Sequence, residues 1–476
     1  MLFTEPLFFG FFVLVFCLYY LPAMRRHQLP LLLVASFFFY AYSQPYLLLL
    51  LVISATVSAA TSYAVMVGER RERKLAWTVA GVGLNIAILG FFKYGGLIER
   101  SFSASLGPDD GTLGALLSLP LPIGISFYTF HGISLIVDVS RNRDAVATPE
   151  APHPTAREHL RHTLLYLTFF PQLVAGPIIK AHNFYPQIAP KRFAAVDWTG
   201  AVKALIVGYF LKRVVADNLH NTTYLLSYPA LLTQSSLNLL IFDLGYSAQI
   251  FADFAGYSLI AIGLAKLLGY ELPQNFNFPY ISESFSEFWT RWHMSLSAWL
   301  REYLYYPLGG NRRGAGRTYI NLMVVMCLGG LWHGAGWSYA LWGGCHGLAL
   351  IAERLVHGSR FYASRNVAAR LARASLVFGF VTLVWVFFRL PRIGEATAFF
   401  EALGENWHLP FVPGSAMVIA LYAAPVIAYH GWYLRRRAGG ATWSAERRLE
   451  PVIYGALAST ILLNAGPIHA FIYFQF

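Results

Sequence analysis

The 476-residue chain is 56% hydrophobic and only 13% charged, with a mean hydropathy of +0.49. Soluble domains average about 45–50% apolar and about 25% charged residues, so this much apolar surface excludes a water-soluble core and makes lipid the solvent. The net charge of +12 does not point to nucleic acid, because the cations sit in short loops between apolar runs, the positive-inside pattern of membrane proteins.

Taken in order, the first apolar run, Phe8 to Tyr20, has no basic stretch before it and no small-residue cleavage site after it. It therefore reads as a retained span, not a signal peptide. Runs able to cross a bilayer, about 17–25 residues each, are predicted near 7–23, 30–43, 46–67, 75–95, 119–138, 200–218, 231–250, 318–332, 374–389, 413–433 and 452–468. Four further stretches, 163–180, 255–269, 286–308 and 336–354, carry proline, glycine or charge at membrane depth. Irregular backbone is tolerated there only where protein buries it or a wet cavity adjoins it, so a site is sought in these four. Basic loops at 25–26, 70–74, 141–162, 354–373 and 435–448 fall on one side, predicted to be the cytoplasm. The loops at 97–118 and 391–412, with Asp109, Asp110, Glu395, Glu401 and Glu405, fall on the other, and both termini are expected in the periplasm. No repeat interrupts the series, and a single domain over 1–476 is expected. Cys17, Cys327 and Cys345 lie inside apolar runs, where cysteine acts as a small core hydrophobe.

The densest polar cluster is EFWTRWHMSLSAWLREYLYYPLGGNRRG, residues 287–314. On one continuous helix His293 and Arg301, eight apart, share a face with Arg291 nearby. An amphipathic helix dipping into the bilayer would turn that face toward a cavity. After the Gly309–Gly310 turn, Arg312, Arg313 and Arg317 either bind the phosphates of a soluble donor or act as ordinary positive-inside anchors. Next comes LWHGAGWSYALWGGCHG, residues 331–347, a glycine- and tryptophan-rich hairpin with His333 and His346 near its ends. An ionisable residue inside the membrane is a functional hypothesis by default, and neutral imidazole is the natural general base near pH 7. Gly334 and Gly336 would let backbone or substrate approach His333. The competing reading is a structural histidine bonded to a neighbouring helix, which is the one expected for His346. No metal site is expected, since the histidines are thirteen apart with no paired carboxylate. No GxSxG elbow, P-loop or dinucleotide fingerprint stands in its required context. The residues alone thus describe a membrane protein with a His- and Arg-lined cavity, an enzyme or a transporter.

Several further blocks stand in order: LPIGISFYTFHG at 121–132, FFPQLVAGPI at 169–178, KRVVADNL at 212–219, FADFAGYS at 251–258, LPQNFNFPY at 272–280, VWVFFRL at 384–390 and the terminal FIYFQF at 471–476. With the two segments above, they make the chain resemble the membrane-bound O-acyltransferase family, most of all its branch of bacterial alginate O-acetyltransferases and teichoic-acid D-alanyl transferases. The resemblance implies an all-α polytopic fold, a ring of tilted helices with re-entrant segments around a central tunnel. It implies His333, in WHG, as the catalytic residue and His293, in RWH, as a second one, expected to share the cavity with His333. It implies acetyl-CoA as a cytoplasmic donor substrate, with no bound cofactor, and an exported alginate-like polysaccharide as eventual acceptor, completed by a periplasmic partner of the SGNH type. Cellulose or peptidoglycan as the polymer, or a transporter of polysaccharide or lipid intermediates, are the alternatives. On this reading His333 is the base, and His293, Arg291 or a backbone N–H stabilises the oxyanion. Arg291, Arg301, Arg312, Arg313 and Arg317 are the substrate-binding candidates. Tyr473 has two readings: an aromatic anchor at the interface, or, by its likeness to the tail of the small peptide of the D-alanylation system, an acyl carrier. The sequence departs from the alginate pattern at His131, at Leu259–Ile260 and at Glu302.

Overall fold

The computed structural model describes residues 1–43, 45–106, 121–174, 176–356, 358–437 and 443–474, and among them there are helices and no strands. Most of the acidic loop expected at 97–118, with Asp109 and Asp110, lies outside the described residues. Contacts divide the chain into two units, Met1–Leu205 with Ile260–Pro273, and Ile206–Leu259 with Gln274–Phe476. Among the described residues, five helices are long and apolar enough to cross a membrane, or six if one bent pair counts as a span. Helix satisfies every backbone group within its own segment, which is what a lipid environment demands. The exposed faces carry Leu14, Val34, Leu49 and Leu421, the side chains that lipid solvates.

In the first unit, α1 (Pro6–Tyr20) and α2 (Gln28–Ala41) are separated by a 99° bend over the short turn at Pro22–His27. The two runs expected as separate spans are therefore 15 and 14 residues long, each shorter than a crossing requires. Cys17, expected in the core, is exposed on α1. Helix α3 (Leu47–Val67) packs against α4 (Arg71–Leu106), α5 (Ile125–Arg141) and α6 (Ala156–Thr168). Small residues set the approach: a Cβ on Gly132 would lie 2.6 Å from Ser58 Oγ and 2.7 Å from Asn85 Oδ1. Without a hydrophobic drive between lipid-solvated helices, such close packing and interhelical hydrogen bonds hold them together. Asn85 Nδ2 donates to Ser58 Oγ (3.2 Å), and Ser62 Oγ meets His159 Nε2 (2.8 Å). The LPIGISFYTFHG and FFPQLVAGPI blocks meet here, with His131 Nε2 2.5 Å from Gln172 Nε2.

The second unit begins inside α7 (Trp198–Tyr209), which runs into a π-helical segment Phe210–Ala216 and then α8 (Asp217–Thr223). The stretches expected as separate elements at 231–250 and 255–269 are one helix, α9 (Ser236–Leu267). The stretch at 286–308, expected as one amphipathic helix, is two short ones, α10 (Phe285–Arg291) and α11 (Met294–Leu300), followed by a π turn. Helices α12 (Ala315–His333) and α13 (Trp337–Val356) form the hairpin read from 331–347. It is followed by α14 (Val367–Arg389), α15 (Ile393–Glu405), α16 (Pro413–Arg437) and α17 (Trp443–Asn464). Beyond α17 the chain runs without regular structure to a short turn at Ile472–Phe474.

Candidate active site

Backbone conformation places the first histidine. The helix at 285–291 stops at Trp292, and His293 takes a left-handed conformation (φ 42°) before α11 starts. A non-glycine residue there costs free energy and persists only where the surroundings hold it. The holder is Asn275, from LPQNFNFPY. Its backbone carbonyl accepts from Met294 N (2.9 Å), and its Oδ1 accepts from Ser295 N (3.3 Å) and Ser295 Oγ (2.9 Å). Because a backbone N–H can only donate, that atom of Asn275 is the amide oxygen. His293 Nδ1, 3.0 Å from it, must then be the donor. In the neutral ring Nε2 carries the lone pair, and this buried atom has no hydrogen-bond partner among the described residues. The helical argument that paired His293 with Arg301 fails at this break: His293 is fully buried, whereas Arg301 is exposed.

His333 is the last residue of α12, where the α12–α13 hairpin is tightest. A Cβ on Gly330 would lie 2.1 Å from the Tyr339 carbonyl oxygen, and one on Gly343 2.1 Å from that of Met326. Only glycine lets the two backbones come so close. The Tyr339 ring fills the space beside Gly334, where a Cβ would sit 2.2 Å away. That glycine thus makes room for an aromatic ring where backbone or substrate was expected. Ser338 Oγ donates to Leu390 O (2.7 Å), fixing the hairpin to the end of α14. The His333 ring centroid lies 6.1 Å from His293, 5.3 Å from Trp342 and 5.4 Å from Phe388.

The chain's own tail completes the cluster. The Tyr473 ring is 5.3 Å from His333, 6.4 Å from His293 and 4.4 Å from Phe254, centroid to centroid, while Phe471 is stacked on Tyr257 at 4.6 Å.

A cavity of about 390 Å³ reaches this cluster. Arg301, Tyr306, Asn311 and Arg354 are exposed on its lining, whereas His333 and Trp342 are buried, so the arginines stand at the mouth and the histidine at the inner end. The rest of the lining is mainly apolar, with Leu296, Leu300, Leu322 and Val325, and also includes Ser286, Ser297 and Tyr305. His293, expected in the same cavity, is beside His333 but is not on the lining. Arg291 is occupied elsewhere: its Nε donates to Glu287 (2.9 Å), one amino group donates to Asn277 O (2.9 Å), and it does not line the cavity. Arg312, Arg313 and Arg317 are exposed and outside the lining. His346 is fully buried among Phe288, Trp289, Trp342 and Phe380, with neither ring nitrogen hydrogen-bonded among the described residues. Sequence reasoning gave no role to Asn275 or Arg354. The first was legible only as part of an ordered block, the second only as one cation in a basic loop.

An apolar shaft with cations at its mouth and an imidazole at its end suits a slender ligand with an anionic head, and the helices around it suit lipid: the class is a membrane-embedded transferase. The chain belongs to the membrane-bound O-acyltransferase family, whose model matches residues 117–391. It is 34% identical to the probable alginate O-acetylase AlgI of Pseudomonas putida over the whole of both chains. It is 35% identical to the peptidoglycan O-acetyltransferase of Helicobacter pylori over 68% of this chain and 60% of that one. To the teichoic acid D-alanyltransferase of Bacillus subtilis it is 31% identical, over 48% of this chain and 58% of the other.

Proposed function

We propose that this O-acyltransferase moves an acetyl group from cytoplasmic acetyl-CoA, through an ester on Tyr473, to a periplasmic partner of the SGNH type and so to an exported, alginate-like polysaccharide. The observation that carries the reading is the Tyr473 ring 5.3 Å from the ring of His333, which lines the inner end of the cavity while Tyr473 stands just behind that lining. The donor's pantetheine arm would fill the shaft, with its phosphates at Arg301 and Arg354. His333 takes the phenol proton as the Tyr473 oxygen attacks the thioester carbonyl, a general-base contribution of typically about 10²–10⁴-fold. The tetrahedral intermediate collapses with loss of the CoA thiolate, which recovers that proton. His293 stands beside both groups with a lone pair on Nε2, an acceptor and not a donor, so the developing oxyanion is left to a backbone N–H. A phenol, with a pKa near about 10, leaves more readily than a sugar hydroxyl, so the ester stays activated. A hydroxyl of the partner then takes the acetyl group and restores the phenol. Handing over an ester on the tail spares the polymer any passage between the helices, and the family's implied ring and tunnel would need to admit only the donor arm. The names of the relatives point to three polymer classes, alginate, peptidoglycan and teichoic acid, and the full-length match favours the first.

Tyr473→Phe keeps the ring and deletes the oxygen. In membranes fed radiolabelled acetyl-CoA it should form no acyl-protein and leave the polymer unacetylated, and His333→Ala should do the same with insertion intact. Full polymer acetylation by Tyr473→Phe would reduce the tyrosine to an anchor.

A further inference from the structure

The tail that carries Tyr473 is held by charges buried where lipid-solvated helices rarely keep them. Lys212, Asp217 and Asp253 are 1%, 1% and 4% exposed. Lys212 Nζ lies 2.9 Å from Asp217 Oδ1 and 2.6 Å from Asp253 Oδ1, and Arg213 pairs with Asp217 Oδ2 at 3.0 Å. Two cations face two carboxylates, and Arg389 lines a small opening together with Lys212, Asp217 and Asp253. The π-helical segment at Phe210–Ala216 makes it possible. A π turn brings residues five apart onto one face, as Lys212 and Asp217 are, so two consecutive cations reach one carboxylate.

Further bonds of this cluster, and one from the neighbouring Asn218, go to the C-terminal tail. Lys212 Nζ donates to His469 O (3.1 Å), and Asp253 Oδ2 accepts from Ile472 N (2.8 Å). Arg213 donates to Gly466 O (2.6 Å) and its carbonyl accepts from Gly466 N (2.8 Å), while Asn218 Nδ2 donates to Asn464 O (3.0 Å). The tail lies so close to α8 that a Cβ on Gly466 would stand 2.9 Å from the Asn218 backbone nitrogen. Burying such ions costs several kcal/mol each, and an apolar replacement of the pair often serves stability as well or better. Fold stability alone therefore gives little reason to keep them.

We propose that Lys212, Arg213, Asp217 and Asp253 form a clamp for the C-terminal segment, whose function is to seat Tyr473 beside His333. They are positioning residues, acting through the tail and not on the reacting atoms. The consequence for catalysis rests on the reading of Tyr473 as acyl acceptor; the seating itself does not. The clamp also accounts for KRVVADNL and FADFAGYS, two sequence blocks that otherwise touch no part of the donor cavity.

Amide hydrogen exchange on the purified full-length protein in detergent tests it, read at the peptide covering residues 466–474. In the parent chain the Gly466 and Ile472 amides should be protected. Lys212→Met leaves two buried carboxylates without their shared cation, and Gly466→Ala forces the tail from α8 without touching a charge. Both should exchange roughly tenfold or more faster in that peptide, with the α12–α13 hairpin unchanged, and polymer acetylation should fall in step. Should Lys212→Met fail to fold, Gly466→Ala carries the test from the tail side, and Lys212→Arg, which keeps the charge, should restore part of the protection. Wild-type exchange of the tail in Lys212→Met and Gly466→Ala would overturn the clamp. A loosened tail with undiminished acetylation would leave the clamp standing and sink the relay. Tyr473→Phe separates the two again, since it should lose transfer and keep its tail protected.

Discussion

A candidate catalytic histidine can be picked out of a sequence, but its hydrogen-bonding state cannot. His333 and His293 were nameable from WHG and RWH. That Nε2 of His293 carries the lone pair follows only from Asn275, eighteen residues earlier, whose amide is oriented by Ser295. The arginines divide along the same line. From charge alone Arg301, Arg312, Arg313 and Arg317 were equivalent donors to a phosphate, and Arg354 was one topology signal among several. Geometry separates them, since Arg301 and Arg354 are on the cavity lining and the other three are not. Charge-assisted, often bidentate contacts make arginine a strong phosphate binder. Arg301→Gln with Arg354→Gln should therefore raise the KM for acetyl-CoA by roughly tenfold or more, the loss of about 1.4 kcal/mol of binding, with a smaller change in kcat. The triple Arg312, Arg313, Arg317→Gln variant should move KM far less. A KM that follows the triple variant and ignores the pair would reassign the donor's head to the 312–317 loop.

At the scale of elements, the composition of the apolar runs was enough to find most helices and their order. It could not show where they break. The break at Trp292–His293 depends on one residue held at φ 42° by contacts from a distant segment, and periodicity carries no trace of such contacts. Nor could it show that 231–250 and 255–269 are continuous, because glycines inside α9 read as punctuation. The α12–α13 hairpin was legible as glycine-rich, but the work of each glycine depends on the partner helix. Gly343 and Gly344 are adjacent in sequence and differ completely in surroundings. A Cβ on Gly343 meets the Met326 carbonyl at 2.1 Å, backbone that cannot rotate away, while one on Gly344 finds only Cys327 Sγ at 3.7 Å, an ordinary contact. Overpacking of this kind costs typically about 1–3 kcal/mol. Gly343→Ala should lower the Tm in detergent by several degrees and cut acetyl transfer, since His333 rides on the displaced helix. Gly344→Ala should match the parent in both, and equal behaviour of the two variants would mean that the hairpin is not close-packed.

For the whole molecule, the distribution of charge along the chain makes the strongest statement about orientation, and the two ends of the active site give it a consequence. Basic loops alternate with acidic ones, and from this alternation 312–317 and 354–373 are expected on the cytoplasmic side. By the same alternation the segment after α17 is expected in the periplasm. The donor cavity opens at Arg301 and Arg354, in line with a cytoplasmic thioester. The tail approaches Tyr473 through residues 466–470, where Ala470 and His469 line a separate small opening with Lys212 and Asp253. If acetyl groups are to change sides on Tyr473, these two openings must face opposite compartments. Single cysteines in a chain lacking Cys17, Cys327 and Cys345 decide it, placed at Arg312 and at Ala470, both exposed. In intact spheroplasts a membrane-impermeant maleimide should label Ala470→Cys, and should label Arg312→Cys only after permeabilisation. Labelling of both from outside, or of neither, would put the two openings on one side. The ester on Tyr473 would then have no membrane to cross, and the carrier reading of the tail would lose its physical purpose.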